Sequence, residues 1–554
     1  MKKIATLIKK TKLAVVFTIF LLQSLADLFT PVNPFFGRAG VIIWYISFLP
    51  IFIIAFQQLF YLVKNSWNKK SLFTILSLLI IFSLAINNLT KKRSLSGETT
   101  QEITCNLRHY QNSADWGFRQ NCFLGYPNKQ FYLPGSISLL FGRSQLALNS
   151  GALIYFFLGS LIFSGATLRA LEFNRKNDCL VGTGLAAALH FYFFNHFFLN
   201  QFEQSIYPLS LGLIAFGLLL LYKHTKKIIY LPLIGTSLLW LAFSYTPSLA
   251  LIPLIILLLI LANLNFTPKQ ITKSHWLHLA LVVLVVVTSL ISSFNYREDV
   301  RLVGDGNYSI SKISSQLISL AEHFTYSPQG RPFLSPTFTI VFWIILLLAF
   351  YKINLEQILL IGWLVGTILI AVFSQGYSYY GLDFRAHRAL IIFPVIFYLL
   401  VINLRKIKVN QFFLFFFYLI VLLNGLNFSY QFLSSEQPRT EISVIQFVEN
   451  HSPIETKQKK KLVNYLYFSK AAQADMLSFH DYSQYFWPMT QIKKLSPKNE
   501  NACLPENNSL LFLNTKEKCW LNLQKNLPQY IKILGYIDVK SEELILLQKN
   551  ETTY

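Results

Sequence analysis

Charge is what this chain has least of. Only 14% of its 554 residues are Asp, Glu, Lys or Arg, where a soluble globular domain carries about 25%. Too few charges remain to cover a water-facing surface, which excludes a soluble protein of this size. Acids are the scarcer sign, 26 against 49 Lys and Arg, giving a net charge of +23. In a soluble chain that excess would suggest nucleic acid, but here its placement follows a membrane rule and no nucleic-acid partner is implied. Catalytic strings are missing as well. There is no Walker A segment, no GxGxxG opening a helix after a strand, no HExxH and no GxSxG. ATP-driven transport, zinc proteolysis and the hydrolase nucleophile elbow therefore have no support. Nor does a matching pair of interrupted apolar segments announce a secondary transporter.

What fills the chain instead is apolar. Hydrophobic residues make up 53% of it, with 50 Phe and 28 Tyr, and mean hydropathy is +0.43. Apolar runs fall at 13–29, 41–63, 71–88, 148–168, 179–199, 205–222, 228–245, 248–264, 277–294, 337–351, 356–374, 388–404 and 411–428. Each is near the length that crosses a bilayer, so they predict a polytopic α-helical membrane protein of about thirteen spans. The first run reads as a retained span because hydrophobicity continues past Ala26, although Ser24-Leu25-Ala26 has the small residues of a cleavage site. The pair either side of Tyr245-Thr246-Pro247-Ser248 is the weakest point, since merging those two spans would invert everything after them.

Basic residues set the orientation. Met1–Lys12 holds five Lys and no acid, so it stays cytoplasmic. The loops at 64–70, 223–227 and 405–408 are basic and almost free of acid, as cytoplasmic loops are. Lys91-Lys92-Arg93 dissents, because it follows a span that runs outward. This reading divides the chain into N-terminal spans (1–70), a transmembrane core (71–430) with outer loops 89–147 and 295–336, and an extracytoplasmic α/β domain (431–554). In that domain Val463–Phe468, Ser509–Asn514 and Leu544–Gln548 read as strands, and Glu441–Asn450 and Trp520–Asn526 as helices. Cysteines divide to match. Cys105 and Cys122 share an outer loop, Cys503 and Cys519 share the outer domain, and Cys179 falls at a cytoplasmic span end. Two local disulfides outside and one free thiol inside fit this topology; small buried hydrophobes are the alternative.

Few polar residues lie near the outer face, so each can be weighed. Asp115, beside Trp116, is a candidate general base, or a turn residue of Ser113-Ala114-Asp115. His109, Arg119 and Tyr126 share its loop as candidate substrate contacts. Glu203 sits in a very short turn between strongly apolar runs, where an acid is costly unless functional; the plainer reading is a solvated loop charge. His190 and His196 are spaced i, i+6 and read as core histidines. Arg385 and Arg388, at i, i+3 with His387 between them, suit a lipid-linked phosphate, or snorkel to headgroups. The loop 295–336 adds His323 and Arg331 as further candidate contacts.

The order of these features resembles the start of GT-C fold glycosyltransferases, and among them the bacterial relatives of protein O-mannosyltransferases. The resemblance rests on a span and then a long outer loop with an early acid, Asp115. A Pro-containing stretch from Tyr126-Pro127 follows, leading to Leu140-Phe141-Gly142-Arg143-Ser144 at the next span. Glu203 before Tyr207-Pro208-Leu209-Ser210-Leu211 and Arg388-Ala-Leu-Ile-Ile-Phe-Pro394 fit later positions. The likeness covers 71–430. It departs where the usual acidic pair is a single Asp115 followed by Trp116, where the arginine usual further on from the Leu-Phe-Gly segment is replaced around Asn149-Ser150, and where two spans precede the expected first. It implies an inverting transfer of sugar from a polyprenyl-phosphate donor to a glycan, lipid or protein acceptor outside the cytoplasm. Asp115 would be the base, Glu203 would position the acceptor or a cation, and Arg385 and Arg388 would hold the donor phosphate. No cofactor is fixed by these residues; a divalent cation is compatible, but no metal-ligating set is identified. Two other classes stay open: a lipid or polysaccharide transporter or flippase, which most spans' lack of mid-depth charge opposes, and a non-catalytic envelope scaffold.

Overall fold

Apolar runs that leave water must satisfy their backbone internally, and in this chain they do so as helices. The structure is a computed structural model. It describes residues 2–29, 34–90, 129–186, 206–244, 246–265, 272–295, 353–373, 410–435, 509–516, 518–539 and 542–549, with short strands and single residues between 314 and 494. Helices α1 (Lys2–Phe29), α2 (Pro34–Ser66) and α3 (Leu72–Thr90) come first. Then come α4 (Tyr132–Phe141), α5 (Gln145–Leu171), α6 (175–186), α7 (Ile206–Thr225) and α8 (Tyr230–Ala242). A turn of 3-10 helix, Thr246–Ala250, leads into α9 (Leu251–Leu264), and α10 (Lys273–Asn295), α11 (Leu355–Phe373) and α12 (Gln411–Ser435) complete the apolar part. Among the described residues five stretches are long and apolar enough to cross a membrane: Thr11–Phe29, Ala39–Ser66, Ser150–Leu171, Tyr207–Thr225 and Lys273–Ser293. The chain is a multi-pass membrane protein.

Most helices coincide with predicted runs, and two details add to the prediction. The turn at 245–248 does separate two helices. Tyr222, at the end of α7, donates to Asn263 Oδ1 at the end of α9 (2.7 Å), so α8 and α9 form a hairpin. Ser244 and Ser248 close it with a 2.7 Å hydrogen bond. In addition, the predicted outer loop 89–147 contains α4. Its run Tyr132…Phe141 is apolar but only 10 residues long, too short to span, and length alone hides it as loop. Residues 187–199 of the predicted run 179–199, and most of those at 337–351 and 388–404, lie outside the described residues.

Close contacts show which helices run together. A Cβ added at Gly159 would lie 2.6 Å from Ser210 O, and one at Gly217 would lie 2.9 Å from Phe163 N, so α5 and α7 run parallel with backbones touching. Such approaches need residues without side chains. Gly165 meets Gln58 in the same way, and Gly235 meets Phe20, placing α2 beside α5 and α1 beside α8. Asp178 on α6 accepts from Phe73 N and Thr74 N (both 2.9 Å), satisfying the free amides that open α3. The bundle thus has two unlike ends. One, the basic end, gathers Lys64, Lys69, Lys70, Arg169, Lys223, Lys226 and Lys273 at helix termini. The other, the aromatic end, is described below.

The tail carries α13 (Lys518–Lys525) and a five-stranded sheet, β3 (Tyr465–Phe468), β4 (Gln491–Lys494), β5 (Ser509–Asn514), β6 (Ile531–Val539) and β7 (Glu542–Lys549), in the order β4-β3-β5-β7-β6. A two-residue pair, β1 (Ser378–Tyr379) with β2 (Leu382–Asp383), precedes it. Strand β3 is parallel to β4 and β5, and β7 is antiparallel to β5 and β6. Leu544 to Leu547 are all buried: Ile545 and Leu547 pack with Trp520 of α13, and Leu544 and Leu546 point to the opposite face. Three strands and the helix predicted at 520–526 match, and most of the helix predicted at 441–450 lies outside the described residues. Strands β4 and β6 do not appear in the prediction, because β4 is short and polar and β6 is broken by a bulge between Ile533 and Gly535. Phe447 closes on Gly535, where an added Cβ would lie 2.9 Å from its Cζ.

Candidate functional site

At the aromatic end, six elements supply one cluster. Trp44 of α2 lies edge-on to Tyr132 of α4 (5.6 Å between ring centroids) and tilted against Trp240 of α8 (5.8 Å). Tyr155 of α5 meets Tyr207 of α7 at 5.4 Å, and Phe131 meets Tyr207 at 5.5 Å. These rings are all buried. Alternating edge-to-face contacts give such a cluster a fixed geometry that aliphatic side chains do not. Tyr45 hydroxyl donates to Tyr132 O (2.9 Å) and meets Ser136 Oγ, tying α2 to α4.

An ion pair lies against this cluster. Lys129 Nζ donates to Asp27 Oδ1, and both side chains are 2% exposed. Gln23, one turn earlier on α1, donates to the same oxygen at 3.0 Å. The Lys129 ammonium also sits 4.2 Å from the centroid of Phe243, within cation–π range. Desolvation by burial pushes Lys129 below the ordinary lysine value, and the Asp27 charge opposes that shift. A buried pair is costly to assemble and costlier to break, so α1 and the segment leading into α4 are held in register here.

The sequence did not single out either residue, although a signal for Asp27 was present. It is the only acid in the first 97 residues and it lies inside an apolar run, the setting in which an acid is functional by default. Lys129 was passed over because nothing in the sequence shows that it is buried. Past the cluster, α4 ends on Leu139, Leu140 and Phe141, exposed by 44%, 77% and 80%, an apolar tip of the kind that rests in a bilayer interface.

The residues singled out earlier are Asp115, Glu203, Arg385, Arg388, His109, Arg119, Tyr126, His323, Arg331 and His387. All lie outside the described residues, as do Cys105, Cys122 and Cys503. Cys519 is on α13 with its pairing undescribed, and Cys179 is buried with a free thiol. Their neighbours are described, however. The segment with Asp115 leaves α3 at Thr90 and rejoins at Lys129; Glu203 precedes α7 by three residues; and Arg385 follows β2 by two. Among the described residues no three His, Cys, Asp or Glu side chains group as metal ligands.

No protein family matches the chain, and no curated protein does either. Solved structures do. ArnT from Cupriavidus metallidurans bound to undecaprenyl phosphate superimposes with a TM-score of 0.51 at 12% identity, covering 86% of this chain and 97% of that one. The same protein in the apo state gives 0.50 at 12% identity, over 88% and 98%. At this identity the likeness is one of fold. The fold is that of ArnT, the GT-C architecture that the sequence resemblance implied.

Proposed function

We propose that this protein is a membrane glycosyltransferase of GT-C type. It takes a sugar from a polyprenyl-phosphate-linked donor and passes it, with inversion, to a glycan, lipid or protein acceptor outside the cytoplasm. The observation that carries this reading is the shared fold, nearly end to end, with a protein solved with undecaprenyl phosphate. Support also comes from where the candidate segments attach. The ones holding Asp115, Glu203 and the Arg385–Arg388 pair adjoin the end of α3, the start of α7 and the end of α11. All three are helix ends away from the basic end. By the positive-inside rule the basic end faces the cytoplasm, and the reaction then belongs to the outer face of the plasma membrane, with the C-terminal domain on the same side.

The chemistry needs three things: a carboxylate to take the acceptor's proton, cations to receive the departing phosphate charge, and exclusion of water. Asp115 is the base in this reading, Glu203 orients the acceptor, and Arg385 and Arg388 face the phosphate oxygens. The aromatic cluster supplies the dry, rigid wall in this reading.

The test is transfer from a synthetic polyprenyl-phosphate sugar by the purified protein in lipid nanodiscs. Asp115→Asn should reduce turnover by about a thousandfold or more, within the range that one general base contributes together with its positioning, and leave donor binding intact. Undiminished transfer by Asp115→Asn would remove Asp115 as the base. No binding of any polyprenyl-phosphate species by the wild-type chain would remove the reading altogether.

A further inference from the structure

At the basic end, Arg169 has no counter-charge among the described residues. Arg169, in the last turn of α5, lies with its guanidinium carbon 3.4 Å from the centroid of Tyr61 on α2. Its Nε and Nη2, one edge of the guanidinium fork, have no hydrogen-bond partner among the described residues. Among the described residues no carboxylate lies within salt-bridge distance of it, the two bridges between described residues being Lys129–Asp27 and Lys223–Glu356. The groups that face it electrostatically are two phenols, Tyr61 and Tyr230.

The surroundings hold further unmet polarity. Gln58, one turn before Tyr61, is 1% exposed, and its Oε1 has no partner either. A Cβ at Gly165, one turn before Arg169, would lie 2.9 Å from that oxygen, so Gln58 and Arg169 occupy successive turns of the same α2–α5 seam. Tyr61 is 47% exposed, and Lys64, in the last turn of α2, is exposed as well. A half-buried guanidinium without an acid is unfavourable unless an anion completes it. Its planar fork matches two oxygens of a phosphate, whereas an ammonium meets them as a point charge.

We propose that the seam of α2 and α5 at the basic end, formed by Arg169, Tyr61 and Gln58, is a binding site for the phosphate group of a phosphate ester. A membrane phospholipid headgroup is the source within reach of a helix end, and inorganic phosphate carries the same oxygens. The site lies at the end of the bundle opposite the aromatic cluster. It is independent of the donor site proposed above.

The experiment uses the full chain in nanodiscs and in detergent. Native mass spectrometry would follow retention of phosphatidylglycerol against phosphatidylcholine, with inorganic phosphate as a separate arm. The wild type should retain phosphatidylglycerol, and Arg169→Gln should lower that retention by about tenfold, the scale of one charge-assisted bidentate contact. Arg169→Gln risks misfolding, so Arg169→Lys serves as the second variant. It keeps the charge and should remain monodisperse, yet lose most of the retention because the fork is gone. Competition by inorganic phosphate with the same dependence on Arg169 supports the phosphate assignment and names a free anion as an occupant. Equal retention by wild type and both variants, with no effect of phosphate, overturns the proposal. Donor binding at the opposite end should be unchanged throughout, which separates this result from any failure of the glycosyltransferase reading.

Discussion

Lys129 reaches across 102 residues of chain to donate to the Asp27 carboxylate, and neither side chain is more than 2% exposed. One comes from the first helix and the other from the end of a long polar segment, so the contact fixes where that segment re-enters the bundle. Asp27→Asn should destabilise the protein by about 3–5 kcal/mol, because it strands a buried ammonium. Replacing both partners, Asp27→Leu with Lys129→Met, should cost clearly less than Asp27→Leu or Lys129→Met alone, since two apolar groups leave no orphan charge. Thermal unfolding in one detergent gives all four corners of the cycle. Additive losses would show that the two charges do not interact.

A second tie joins the early helices to the late ones at the basic end. Glu356, in the first turn of α11, accepts from Lys223 of α7 and from Tyr398, both at 2.6 Å. Lys223 is 25% exposed and Glu356 16%, so solvent screens the pair in part. Tyr398→Phe should then cost about 1 kcal/mol, and Glu356→Gln about 1–2 kcal/mol. A loss above that range in Tyr398→Phe would mean that the ring, tilted against Phe216 with 5.0 Å between centroids, has shifted as well.

The seam of α5 and α7 makes a sharper demand. At Gly159 an added Cβ would stand 2.6 Å from a backbone oxygen, which cannot swing aside as a side-chain tip can. Gly159→Ala should cost about 1–3 kcal/mol, the range for overpacking. Gly366→Ala is the control, since a Cβ there meets nothing within 4 Å. It should be neutral or slightly stabilising, as Ala is the better helix former. Equal behaviour of the two variants in thermal unfolding would refute the close approach.

How far the sequence carried depended on what each feature is made of. Span positions were legible because twenty apolar residues in a row admit one solution in lipid. The sheet was half legible: β7 announces itself by Leu544–Leu547, whereas β4, Gln491–Lys494, has no alternation to read. Helix α4 was hidden by its length. The Asp27–Lys129 pair was hidden by its nature, since each partner is an ordinary polar residue until the fold brings them together, and pairing over 102 positions leaves no local trace. The Asp115, Glu203 and Arg385–Arg388 candidates came from chemistry and resemblance.

Orientation gives the last prediction. Trp67, just past α2 at the basic end, is 84% exposed, and Lys518 opens α13 of the tail on its exposed side. If the basic end faces the cytoplasm, the tail lies outside. A Trp67→Cys variant in intact cells should then resist a membrane-impermeant maleimide and react only after the membrane is opened. Lys518→Cys should react in intact cells once the outer envelope is permeable. Labelling is read as the gain over the parent chain, whose buried Cys179 should stay silent. The opposite pattern would turn the bundle over. It would put the aromatic cluster and every candidate site segment on the cytoplasmic side, where the proposed acceptor outside the cytoplasm could not be reached. Labelling of both variants from the same side would break the topology expected between α2 and the tail, and with it the sequence expectation of two separate spans at 228–245 and 248–264.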